Sequence, residues 1–211
     1  MRAVVDIETD AINATKIHCI VARRADTGET RHWIGDQCRE FGEWSKKIDT
    51  FIMHNGISFD APLLNKFTGS DIKVNQIDDT LIKSQLYNPI REDGHSLEAW
   101  GNFLGHKKGD YHGFATFNED MLKYCYTDTQ LTREVSAYLQ VEGEKFSEES
   151  YDLERKVRSI VDKQQSNGFA FNLMKGMTLE AKLMDELYSL EEKAHDMFPP
   201  TILQLKTKTK E

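Results

Sequence analysis

MRAVVDIET, residues 1–9, reads as an apolar strand over Val4 to Glu8 that carries two carboxylates. Side chains alternate along a strand, so Asp6 and Glu8 share one face while Val5 and Ile7 share the other. Two acids on one face at the end of a buried strand oppose ionisation through desolvation and mutual repulsion. A hard divalent cation, Mg²⁺ or Mn²⁺, would relieve both effects, because such ions take carboxylate oxygens. The competing reading of the pair alone is a turn-capping Asp6 followed by a solvated Glu8. The remainder of the chain has to separate the two.

Outward from this strand, residues 16–24 (KIHCIVARR) and 29–34 are β-rich runs joined by Asp26-Thr27-Gly28, a hairpin signal. Phe41, Trp44 and Ile48 recur at helical spacing and predict a short helix over 39–49. A strand over 51–53 closes at His54-Asn55-Gly56, and Ser58 is the expected N-cap of a helix to Phe67. Asp60 falls in the first turn of that helix, where the helix dipole favours any carboxylate. Its place directly after a strand and an Asn-Gly turn keeps a functional role open. A strand over 74–77 leads to Asp79, read as the N-cap of a helix to Tyr87, and Ser96 is the expected cap of a helix carrying Leu97, Trp100 and Leu104. The loop GHKKGDYHG at 105–113 serves either phosphates or solvent, and its composition favours solvent.

The long pattern from Asn118 to Val141 places Met121, Tyr124, Cys125, Asp128, Leu131, Val135 and Leu139 on one buried helical face. Asp128 therefore occupies a core position, one turn after Tyr124, and a buried acid of this kind is rarely found without a partner or a metal. Leu153, Val157, Ile160 and Val161 mark another helix ending near Asn167-Gly168. A further helix over 173–195 carries Leu179, Leu183, Leu187 and Leu190 on one side, before Pro199-Pro200 and a Lys-Thr-rich end.

The chain has 211 residues, 39% of them hydrophobic, enough for one mixed domain with an appendage. Its apolar runs are too short for a membrane span, and the N-terminus has no signal-peptide pattern, so the expected location is the cytoplasm. Cys19, Cys38 and Cys125 lack metal-ligand spacing and read as reduced thiols. A net charge of −8 argues against a tight, sequence-independent grip on a phosphate backbone.

DIET at 6–9, NGISFD at 55–60 and YCYTD at 124–128 resemble, in order and spacing, the three exonuclease motifs of the DEDD superfamily, in its Tyr-containing branch. HNGISFDAPLL at 54–64 and HSLEAWGNFLGHKKGDY at 95–111 are similar to the proofreading domain of family A DNA polymerases from short-tailed phages. ERKVRSIVDKQQSNGF at 154–169 resembles the segment that leads from exonuclease to polymerase in that family. The resemblance implies an α/β, ribonuclease H-like mixed sheet flanked by helices, with a C-terminal helical extension. It also implies 3′-to-5′ removal of nucleotides from single-stranded DNA ends with two divalent cations, Mg²⁺ or Mn²⁺. Asp6, Glu8, Asp60 and Asp128 match the metal-binding acids, and Tyr124 matches the residue that orients the attacking water. Thr9 matches a position near the terminal nucleotide, and Asn55 and Phe59 belong to the second motif as scaffold or substrate-contacting residues. The chemistry suits this set, since two cations about 3.5–4 Å apart can serve the attacking and the leaving oxygens. In the expected arrangement Asp6 bridges both cations, Glu8 and Asp128 hold the one bearing the nucleophile, and Asp60 helps hold the second.

Polymerase motifs are absent, which implies a separately encoded exonuclease or a domain of a longer polymerase, and the start at Met1 favours the former. The expected organisation is an exonuclease domain at 1–145, a helical docking or linker region at 146–198 and a flexible tail at 199–211. The expected partner is a DNA polymerase subunit, or the remainder of a polymerase chain, that supplies the grip on DNA. The alternatives are a non-catalytic scaffold that positions a polymerase, and a 3′-to-5′ exoribonuclease of the same superfamily.

Overall fold

Five strands, β1 (Arg2–Thr9), β2 (Ile17–Arg24), β3 (Thr30–Ile34), β4 (Thr50–Met53) and β5 (Ile77–Asp79), make one mixed sheet in the order β3-β2-β1-β4-β5. The structure is a computed structural model that describes residues 1–106 and 111–199. Strands β1 to β3 form an antiparallel meander, and β4 and β5 run parallel to β1. The Asp26-Thr27-Gly28 turn joins β2 to β3 as the sequence predicts: Gly28 adopts φ +75° and donates its N–H to the Arg24 carbonyl at 3.0 Å.

Helices α1 (Phe41–Ser45), α2 (Asp60–Thr68), α3 (Thr80–Tyr87), α4 (Leu97–Leu104), α5 (Glu119–Glu142) and α6 (Glu148–Asn167) accompany the sheet. The alternation expected along β1 is realised. Ala3, Val5 and Ile7 enter the main core with Phe41, Ala61, Leu64 and Tyr151. On the opposite face Asp6 lies across from Val21 and Glu8 across from Cys19, in register with β2. Cys19 and Val21 pack with Met121, Leu122 and Cys125 of α5, while Leu131, Val135 and Leu139 of the same helix pack with Leu97 and Trp100. Full burial of side chains this size contributes about 1.5–3 kcal/mol each. Helix α5 thus covers the carboxylate face of β1, and its start is set by Asn118, whose side chain accepts the Met121 N–H at 2.8 Å.

Three local expectations are corrected. The helix expected over 39–49 is confined to Phe41–Ser45 and is preceded by a 3-10 turn over Gly35–Glu40. The strand expected over 74–77 starts only at Ile77, because Val74–Gln76 is a 3-10 turn held by the Lys73 N–H on the Gln76 side chain at 3.0 Å. Ser58 does not cap α2. Its hydroxyl is bound to α6, and the loop carbonyls of Asn55 and Gly56 accept the Phe59 and Ala61 N–H groups instead. Pro62 sits in the first turn of α2, where it forfeits no helical hydrogen bond.

Helix α6 is docked on β5: the Tyr151 hydroxyl accepts the Asp79 N–H at 2.6 Å, and Arg155 donates to the Asn75 and Ile77 carbonyls. It belongs to the same compact unit as the sheet, Met1–Ser166. A second unit, Asn167–Glu211, contains helix α7 (Leu173–Met197). Asn172 caps α7 by accepting the Lys175 N–H, and Leu179, Leu183, Leu187 and Leu190 are 46–62% exposed along it. Lys107 and Lys108, and the Lys-Thr repeats at 206–210, lie outside the described residues. Among the described residues no helix is long and apolar enough to cross a membrane.

Candidate active site

The carboxylates of Asp6, Glu8, Asp60 and Asp128 arrive from three elements at the C-terminal end of β1. Pairing of β1 with β4 covers Arg2 to Val4, so β1 runs on beyond it towards the start of α2. There Asp60 accepts the Ile7 N–H, which ties the first residue of α2 to the strand bearing Asp6 and Glu8. Asp128 faces the same point from α5. Glu8, Asp60 and Asp128 are buried, and Asp6 keeps some accessible surface.

The electrostatics follow from this crowding. Burial raises the Asp6 carboxyl well above its usual range, and Asp128, Glu8 and Asp60 each push it further. Burial also pushes Asp60 up to about 7, followed by repulsion from Asp79 and, more weakly, from Asp128. Carboxylates brought this close, with Asp6 and Asp60 resisting ionisation, offer the hard oxygen donors that a divalent cation takes.

Cys125, three residues before Asp128, belongs to the cluster too: its Sγ donates to Asp6 Oδ2 at 3.2 Å. Donor atoms of Asp6, Glu8 and Cys125 lie within 4.8 Å of one another. Burial holds the Cys125 thiol well above its ordinary range, so it stays protonated and acts as a hydrogen-bond donor to Asp6. The helical pattern placed Cys125 on the right face. Its contact with Asp6 had no signature in the sequence.

Tyr124 precedes Asp128 by one turn, and its ring lies 5.6 Å from Tyr111 and 6.4 Å from Phe114. That aromatic loop is fastened at both ends: Asn118 Nδ2 donates to the Tyr111 hydroxyl at 2.9 Å, and His18 Nε2 lies 2.9 Å from the Phe114 carbonyl. Thr9 ends β1 and is buried, with its hydroxyl donating to the Ala11 carbonyl at 2.9 Å. Phe59 is half-buried against the main core. Asn55 has left-handed backbone, φ +64°, and its side-chain oxygen accepts from Arg158.

Asp79 caps α3 as the sequence predicts, accepting the Leu81 and Ile82 N–H groups. It also accepts the Asn55 and Ile57 N–H groups at 3.0 and 3.1 Å, which fixes the loop that delivers Asp60. Gly56 is obligatory in that loop, since a Cβ there would fall 2.2 Å from Met53 Cβ.

The sheet order and the acids delivered from three elements agree with the ribonuclease H-like architecture that the sequence resemblance implies. Comparison with known proteins agrees. The chain is 25% identical, over an alignment of 251 residues, to a DNA-directed DNA polymerase of Escherichia phage T7, and 24% identical to that of Enterobacteria phage T3. Each alignment covers 87% of this chain and 34% of the polymerase, so the chain spans about a third of the length of the curated relatives it matches. Brucella melitensis NrnC with bound Mg²⁺ superposes with a TM-score of 0.57 at 18% identity, covering 81% of this chain and 90% of NrnC. NrnC bound to pGG gives 0.59 at 17% identity, covering 81% and 89%. The catalytic core of RRP6 from Trypanosoma brucei gives 0.56 at 14% identity, covering 77% and 46%. No family model matches the chain.

Proposed function

We propose that the protein is a divalent-cation-dependent 3′-to-5′ exodeoxyribonuclease that releases 5′-mononucleotides and proofreads for a phage replicative DNA polymerase. The observation that carries this reading is the mutual repulsion of Asp6 with Asp128, Glu8 and Asp60. Carboxylates pressed together in this way cluster at functional sites. Asp6, Glu8, Asp60 and Asp128 would hold two Mg²⁺ or Mn²⁺ ions, which when bound supply charge stabilisation to both the attacking and the leaving oxygen. Tyr124 orients the water by hydrogen bonding through its phenol, which can donate and accept, and does not act as a base. Its packing against Tyr111 and Phe114 restrains the ring for that purpose. Thr9, Asn55 and Phe59 are assigned to the neighbourhood of the terminal nucleotide.

DNA as substrate and a polymerase as partner draw support from the likeness to the phage polymerases. The exposed leucine stripe of α7 suits the docking or linker role assigned to 146–198. The second reading, an exoribonuclease, has its support in the fold shared with NrnC and RRP6. Both readings are tested by incubating 5′-labelled single-stranded DNA, and RNA of the same sequence, with the protein and Mg²⁺. EDTA and the Asp6→Ala, Glu8→Ala double variant serve as controls. Stepwise shortening of DNA that both controls abolish supports the proposal; preference for RNA transfers it to the second reading, since the 2′-hydroxyl is what separates the substrates. No shortening of either strand points to a scaffold.

A further inference from the structure

The loop that delivers Asp60 is held from a helix that takes no part in the chemistry just described. Arg158 of α6 donates from Nε to Ser58 Oγ at 2.5 Å and from Nη2 to Asn55 Oδ1 at 3.2 Å. Ser58 Oγ in turn donates to Asp162 Oδ2 at 2.6 Å, and Asp162 Oδ1 lies 3.1 Å from Arg158 Nε, one helical turn away. One guanidinium therefore spans residues 55 and 58, and a carboxylate on its own helix holds it in place.

The loop needs such a brace. Asn55 sits at φ +64°, a region that costs free energy for any residue with a side chain, although Asn tolerates it best. Asp79 fixes the backbone of this segment through the Asn55 and Ile57 N–H groups. Arg158 engages its side chains, from the opposite direction in sequence. The guanidinium is 33% exposed and Asp162 24%, so the ion pair alone adds little to stability. What the fork adds is geometry, because its donors are rigidly spaced and a lysine ammonium cannot reproduce two of them.

We propose that Arg158 is a positioning residue for Asp60: braced by Asp162, it sets the Asn55–Ser58 loop and thereby the place of the Asp60 carboxylate among the acids. The proposal rests on the reading of Asp60 as a cation-holding acid. It makes α6 part of the nuclease and not a passive connector.

The test titrates Mn²⁺ calorimetrically into the full-length wild type and the Arg158→Ala, Arg158→Lys and Ser58→Ala variants. Melting temperatures, and kcat and KM on 5′-labelled single-stranded DNA at several Mg²⁺ concentrations, are measured alongside. Removing support behind a metal ligand weakens binding by about 10- to 100-fold. That loss is expected for Arg158→Ala, a smaller one for Ser58→Ala, and at most partial recovery for Arg158→Lys. The kcat of the variants should recover at high Mg²⁺ with KM for DNA unchanged. Folded variants with wild-type Mn²⁺ affinity would overturn the proposal while leaving the site assignment intact. Should Arg158→Ala fail to fold, Ser58→Ala decides by the same criterion. A wild type that binds no Mn²⁺ sinks the reading of the site, and the proposal with it.

Discussion

Asp6 is pressed by three other carboxylates, Asp128, Glu8 and Asp60, and relieved by the Cys125 thiol. Replacing it with alanine should lower kcat by about 10² to 10⁴, the loss expected when several kcal/mol of charge stabilisation disappears. Steady-state kinetics against wild type check this. Tyr124→Phe should cost about 10- to 100-fold in kcat at unchanged stability, as loss of one orienting hydrogen bond does; full activity would count against the role. The same crowding has a signature in stability. Asp60 is pushed up to about 7 from an ordinary value near 3.8, so between those pH values the folded chain holds a proton that the unfolded chain has released. Stability of the cation-free protein should therefore fall as pH rises from about 4 to 7 through this residue, and saturating Mg²⁺ should reverse the trend, because the ion binds only the ionised acids. Thermal melts at pH 5 and 8, with and without Mg²⁺, would reveal it. Asp6 and Glu8 were legible in the sequence because strand alternation fixes which side chains share a face, and Asp128 because helical periodicity gave it a core position. Cys125 against Asp6 and Arg158 against Asn55 were not legible: they join residues 119 and 103 apart, and no local pattern encodes such pairs.

At the scale of elements, the caps at Asp79 and Ser96 were read correctly, since the acceptor and the N–H it satisfies are two or three residues apart. Ser58 was misread as a cap for the opposite reason, its partners lying a hundred or more residues away on α6. Asp79 joins two elements, capping α3 and holding the loop before α2. Asp79→Ala leaves buried N–H groups of both without an acceptor and should cost about 2–4 kcal/mol. Urea denaturation measures this, and a loss confined to a single cap, about 1 kcal/mol, would show that the loop finds other partners. The strand over 77–79 was placed too early because Lys73 and Gln76 close a turn that competes with extension.

Across the whole molecule, the ribonuclease H-like architecture was legible through the resemblance carried by DIET, NGISFD and YCYTD in their order and spacing, not through composition or periodicity alone. Helix α6 carries the apolar spacing of a separate helix, and Tyr151 and Arg155 fasten it to β5. A chain of net charge −8 also constrains how nucleic acid is held. Affinity for single-stranded DNA should depend weakly on salt, with a log-log slope of magnitude about 2 or less, since few phosphates are neutralised. Fluorescence anisotropy at a series of NaCl concentrations gives that slope. The most direct test of the central claim, that four carboxylates from three elements form one cation-holding centre, is a count of bound Mn²⁺ by equilibrium dialysis at pH 8. The account predicts two ions per chain, lost or reduced to one in Asp6→Ala; no bound ion, or a count unchanged by that substitution, would contradict it.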